Sequence, residues 1–124
     1  MINFLNIRNH FPEYHEDKSW WAYRYCKDVK DKPEIRKHVT DSFDAYFYCL
    51  HIKDKPEIRQ FIIDSYDALH YCRDVKDRPE IRKYITDSEG AYIYCRFIKD
   101  RSEVRKHITE NYYLGRYRKW KAKQ

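Results

Sequence analysis

KDKPEIR occupies residues 30–36 and returns letter for letter at 53–59, while KDRPEIR stands at 76–82 and KDRSEVR at 99–105, a spacing of 23 residues each time. A period in this range marks a repeat architecture, in which each unit buries its apolar face only against a neighbour. Stacked at that period, the chain also aligns AYRYC, AYFYC, ALHYC and AYIYC. This puts Ala22, Ala45, Ala68 and Ala91 at one position and Cys26, Cys49, Cys72 and Cys95 at another. The unit reads A-Y-x-Y-C-x-x-[VI]-K-D-[KR]-P-E-I-R-x-x-[VI]-T-D-S-x-x, and four copies fill residues 19–110 of the 124.

The second copy, DSFDAYFYCLHIKDKPEIRQFIID at 41–64, shows what one repeat builds. Ala45, Tyr48, Cys49 and Ile52 fall at i, i+3, i+4 and i+7, one apolar stripe of a helix over about residues 42–53. Asp41 precedes the stripe as an N-cap, and Asp44 adds negative charge to the positive first turn. Asp54-Lys55-Pro56-Glu57 then offers a cap, a proline in a first turn and a glutamate at the capping-box position. A second helix therefore starts there, with Ile58 and Ile62 as its apolar edge, and Asp64 caps the next long helix. Each repeat is a helical hairpin. The chain has only 2 glycines, so its links are expected to be made by aspartate caps and proline starts rather than by left-handed glycine turns.

The fold expected is all-α, an α-solenoid of four hairpins in a single domain, 1–124. Residues 1–18 form a divergent N-terminal cap, in which Pro12 and Glu13 echo Pro33 and Glu34, and residues 111–124 form a basic half-repeat cap. In that half-repeat Tyr117 keeps the register of Tyr94, while Arg118 and Lys121 replace the Cys and Ile positions. KDKPEIR is read as a link and a helix start. The competing use is a ladder of Lys30, Lys53, Lys76 and Lys99, or of Arg36, Arg59, Arg82 and Arg105, along one face. It is set against salt bridging by the acids that recur with them.

Charged residues are 37% and apolar ones 42%, with no apolar run of membrane-spanning length and no secretory h-region after Met1. The expectation is a soluble protein of the bacterial cytoplasm with no membrane partner. The formal charge is +6, and residues 111–124 hold five Lys and Arg and no acid, so the basic character belongs mostly to this tail.

Four cysteines raise the question of metal or disulfide. Equivalent positions of stacked hairpins lie about 8–10 Å apart, too far for a disulfide or for shared zinc, so they are read as small buried hydrophobes. The six histidines, His10, His15, His38, His51, His70 and His107, show no metal-ligand spacing. Ser42, Ser65 and Ser88 follow capping aspartates and are accounted for by helix starts. With no glycine-rich phosphate loop either, no catalytic residue, metal or cofactor is assigned.

Tyr25, Tyr48, Tyr71 and Tyr94 are read as a core ladder. Tyr23, Tyr46 and Tyr92 point to another face of the same helices, interleaved with Arg24, Lys27, Arg73 and Arg96, and this is the candidate partner-binding face. Arg116, Arg118, Lys119, Lys121 and Lys123 are the candidate nucleic-acid contacts.

The A-Y-x-Y-[AC] stretch followed by P-E at this period resembles degenerate helical repeats of about 23 residues found in bacteriophage and prophage proteins. The resemblance covers residues 19–110; Cys stands where those repeats usually have a small residue such as Ala, and Ser102 breaks the proline pattern. It implies a mobile-element origin, and small phage proteins often bind and disable host machinery, CRISPR complexes included. A non-enzymatic inhibitor of a host nucleic-acid-handling protein complex is the expected function, favoured by the near charge balance of the repeats. Direct RNA or DNA binding and structural scaffolding are the alternatives, and the oligomeric state is left open.

Overall fold

The computed structural model describes residues 17–124. All their regular structure is helical: α1 Lys18–Asp28, α2 Pro33–Arg36, α3 Ser42–His51, α4 Pro56–Arg59, α5 Ser65–Asp74, α6 Pro79–Arg82, α7 Ser88–Phe97, α8 Ser102–Arg105 and α9 Asn111–Ala122. The fold is all-α and its hairpins repeat as the 23-residue period requires. The chain divides into two compact units, one ending at Ile62 and the other running Ile63–Gln124. Residues 1–16 of the expected N-terminal cap, with Pro12, Glu13, His10 and His15, lie outside the described residues.

The long helices α1, α3, α5 and α7 begin at aspartate, whereas α9 follows Glu110, which makes no side-chain cap bond. Asp41 accepts from the amides of Phe43 and Asp44, and Asp64 from those of Tyr66 and Asp67; Asp17 and Asp87 accept from Trp20 and Gly90. Each long helix of a full repeat ends without glycine. The amides of Val29 and Lys30 converge on the carbonyl of Tyr25 at 2.9 and 3.1 Å, and those of Ile52 and Lys53 on that of Tyr48 at 2.9 and 3.2 Å. No described residue has positive φ, as the scarcity of glycine led us to expect.

The second helix of each hairpin is a single turn. Its cap is not the aspartate of D-K-P-E: Lys55 holds that place, extended at φ −113 and ψ 135, and makes no side-chain cap bond. The residue before a proline is driven to extended backbone, which leaves Asp54 one position too early to reach the first-turn amides. Its carboxylate takes Arg59 Nη1 at 3.1 Å instead. In the fourth repeat Arg101 keeps φ −112 and ψ 134 although Ser102 replaces proline, so packing holds this link even without the ring. After the turn, i→i+3 bonds such as His38 N to Ile35 O (3.0 Å) and Val39 N to Arg36 O (3.0 Å) carry the chain on. Both Ile35 and Val39 are thereby fully buried.

In the first unit α1 packs on α2 and α3, and α3 on α4; in the second α5 packs on α6 and α7, and α7 on α8 and α9. Ala22, Ala45, Ala68 and Ala91 have no exposed surface, and their small side chains set a close helix approach. Tyr25, Tyr48, Tyr71 and Tyr94 form the expected core ladder. The four cysteines are buried thiols. Burial pushes Cys26, Cys49 and Cys72 up to about 12 and Cys95 up to about 11, which keeps them protonated.

Two devices tie hairpin to hairpin. The hydroxyl of Ser19 accepts from the amides of Thr40 and Asp41, both at 3.0 Å, and that of Ser88 from Thr109 and Glu110, both at 2.9 Å. Ser88 thus does more than follow a cap: like Ser19, it fastens the start of the next long helix. The second device is a carboxylate shared across 17 residues. Tyr48 Oη donates to Asp31 at 2.7 Å, Tyr94 Oη to Asp77 at 2.7 Å and Tyr117 Oη to Asp100 at 2.9 Å. The arginine of the same repeat pairs with the same carboxylate, Arg36 with Asp31, Arg82 with Asp77 and Arg105 with Asp100. Arg36 and Arg82 also reach forward to Glu57 (3.7 Å) and Glu103 (3.1 Å). The recurring arginines are therefore structural cations with structural anions, as the acids in the motif suggested.

Candidate functional site

The long-helix face of the second unit is built differently. α7 is capped by Asp87 and carries Tyr92 and Arg96 one turn apart; α9 carries Arg116, Lys119 and Trp120, and Lys123 follows directly. These six residues line a cleft of about 250 Å³ that contains no carboxylate. Arg96 Nη1 donates to Tyr92 Oη at 2.6 Å, and its guanidinium lies 5.0 Å from the centre of the Phe97 ring. Arg116 sits 5.8 Å from the Tyr92 ring and 5.6 Å from that of Tyr112, and donates to Tyr112 Oη at 3.1 Å. Burial works to raise the Tyr92 phenol, but hydrogen bonds from Arg116 and Arg96 outweigh it and leave the phenol below its ordinary value.

None of Arg96, Arg116, Lys119 and Lys123 is paired with a carboxylate among the described residues. Uncompensated guanidinium and ammonium groups around aromatic rings bind anions, and planar anion-bearing groups best of all. Gly115 contributes to the openness of this end. It holds the register position of Tyr92, and a Cβ added there would meet nothing within 4 Å.

The two sequence-derived residue sets meet here only in part. From the basic tail, Arg116, Lys119 and Lys123 line the cleft; Arg118 is exposed outside it, and Lys121 is occupied by Asp100 at 2.8 Å. From the Tyr/Arg face, Tyr92 and Arg96 line the cleft. Tyr23, Tyr46 and Tyr92 are not projecting platforms, because they are only 2%, 6% and 5% exposed. Neighbouring rings cover the first two: Tyr23 lies 5.2 Å from Trp20 and 5.9 Å from Phe47, and Tyr46 lies 5.6 Å from Phe47. Arg24 pairs with Asp28 at 3.0 Å and Arg73 with Asp74 at 2.7 Å, while Lys27 is exposed. Among the described residues the rings that do project are Phe43, Tyr66, Phe97 and Tyr112. Trp120 was missed, although it shares the register of Phe97 and stands between Lys119 and Lys121 in an acid-free tail.

A second cleft of about 250 Å³ lies between α2 and α4 of the first unit and includes Arg36, Lys37, Glu57 and Phe61 in its lining. There Arg36 already has Asp31 and Glu57. Among the described residues no three His, Cys, Asp or Glu side chains gather as a metal-holding group, and no helix is long and apolar enough to cross a membrane. No protein-family model, curated protein or solved structure matches this chain.

Proposed function

We propose that the protein is a non-enzymatic binding module that grips a nucleic acid, bare or within a nucleoprotein complex of a bacterial host, through the α7–α9 cleft. The observation that carries this reading is the set of four cations, Arg96, Arg116, Lys119 and Lys123, gathered around Tyr92 and Trp120 without a neutralising acid. Phosphates are the complementary charge, and their neutralisation with release of counterions is the main source of affinity in such contacts. The likeness of the repeats to phage and prophage repeats supports a mobile-element protein acting on host nucleic-acid machinery, a CRISPR-type defence complex among them.

A protein partner is the second reading, favoured by the exposed rings of Phe97 and Tyr112, each 64–65% accessible, beside Arg96 and Arg116. Aromatic and arginine side chains are the usual anchors of protein interfaces. Fluorescence anisotropy with labelled RNA and DNA oligonucleotides at about 50 mM salt separates the two. We expect binding, and a loss on the order of a hundredfold when Arg96, Arg116, Lys119 and Lys123 are all changed to Glu with circular dichroism unaltered. Absence of binding overturns the nucleic-acid reading. Capture of a host protein that survives nuclease and is lost on Phe97→Ala and Tyr112→Ala would establish the second.

A further inference from the structure

The cleft selects among nucleic acids as well as attracting them. We infer that it is a subsite for single-stranded nucleic acid, in which one unstacked base lies against Trp120 while adjacent phosphates meet Arg96, Arg116, Lys119 and Lys123. This deepens the nucleic-acid reading above and rests on it.

Three observations carry the inference. Trp120 is half-buried and lines the cleft among the cations, with the Lys121 ammonium 5.8 Å from its ring centre on the same helix. A duplex keeps its bases stacked inside and offers such a cleft only phosphates, whereas a single strand can turn a base onto an aromatic face. The volume of about 250 Å³ suits one base and its sugar, not a groove-filling contact with a double helix. The cations are also linear: Arg116, Lys119 and Lys123 follow one another at i, i+3 and i+7. On an α-helix that run spans roughly 10 Å, long enough to follow a short run of backbone phosphates. A short run of backbone can thus be tracked on one side while a base enters the pocket on the other.

The test uses the whole chain, a homopolymeric single strand of about ten nucleotides and the matching duplex, each titrated by anisotropy. We expect the single strand to bind at least about tenfold more tightly than the duplex. Trp120→Ala should weaken single-strand binding about tenfold without changing the salt slope, and Trp120→Phe should restore most of it. Arg116→Ala should instead lower the slope by about 0.7. If Trp120→Ala perturbs folding, a single strand carrying 2-aminopurine gives a second measurement, since a base stacked on the indole loses fluorescence on binding. Equal affinity for duplex and single strand, an unaffected Trp120→Ala variant, or unchanged 2-aminopurine emission overturns the single-strand subsite and leaves the polyanion reading standing. Failure of both strands to bind removes the reading beneath it as well.

Discussion

The two clefts have the same volume and opposite character. Between α2 and α4, Arg36 is held by Asp31 and Glu57, so the guanidinium in that cleft is already neutralised. Between α7 and α9, four cations face two rings with no acid in the lining. The difference follows from what the repeat conserves within itself. Aspartate, glutamate and arginine travel together in D-[KR]-[PS]-E-[IV]-R, so the arginine of the link meets its own aspartate in every copy. The outer positions of the long helices are free to vary: one runs Lys27, Leu50, Arg73, Arg96 and Lys119, and the next runs Asp28, His51, Asp74, Phe97 and Trp120. In a chain of this kind, residues that recur at the period build the scaffold, and residues that depart from it are where partner recognition should be sought.

Among Phe47→Ala, Arg82→Ala and Arg96→Ala, the largest stability effect should fall in the ring cluster around the half-buried Phe47 of the first unit. Phe47 lies 4.4 Å from Phe43, 5.6 Å from Tyr46 and 5.9 Å from Tyr23 between ring centres, and Phe47→Ala should cost about 3 kcal/mol in urea unfolding. Oligonucleotide affinity below the transition should be unchanged, and a large loss of affinity would break the contrast between the faces. Arg82→Ala comes next. Its guanidinium is nearly buried and holds Asp77 and Glu103, both at 3.1 Å, so its loss should cost about 2 kcal/mol. Arg96→Ala should cost under about 0.5 kcal/mol in the same assay. Equal costs would mean that the cleft cations are structural after all.

Acid sharpens the same distinction. For Asp100, bonds from Lys121, Arg105 and Tyr117 outweigh the effect of burial and hold the carboxyl at about 2; Asp77 is also lowered. A depressed folded pKa gives stability that is fully present above the unfolded value of about 3.9 and is lost as pH falls through the folded one. Stability should therefore decline from about pH 4 toward pH 2, and thermal melts of Asp100→Asn should show a weaker acid limb from a lower starting stability. An identical limb in the variant would remove Asp100 from this role. One small effect is a gain: Gly115→Ala meets no obstacle and should stabilise α9 by about 0.5–1 kcal/mol. Destabilisation would mean that the space over Gly115 is not open.

The period, the aspartate caps and the proline starts were legible because each acts within a few residues along the chain. Ala45, Tyr48, Cys49 and Ile58 also declared their burial through helical spacing. What escaped reading depends on contacts made one repeat away. Asp54 looked like a cap, but in equivalent copies that aspartate serves a tyrosine 17 residues on, and Ser19 fastens amides 21 and 22 residues on. Tyr23, Tyr46 and Tyr92 stand on a second helical face by angle alone; how far neighbouring rings close over that face is a matter of packing, which spacing does not encode. The cleft was half visible: its cations were named in two separate sets, but nothing local shows that Arg96 and Arg116 share the Tyr92 ring.

The most direct test is the salt dependence of single-strand binding, because it counts phosphates neutralised by the protein. With the four cleft cations engaged, log K against log salt should fall with a slope near −3. The variant with Arg96, Arg116, Lys119 and Lys123 changed to Gln should lose most of that slope along with its affinity. A wild-type affinity indifferent to salt, or the same slope in both proteins, would contradict the assignment of the α7–α9 cleft as the site that grips nucleic acid.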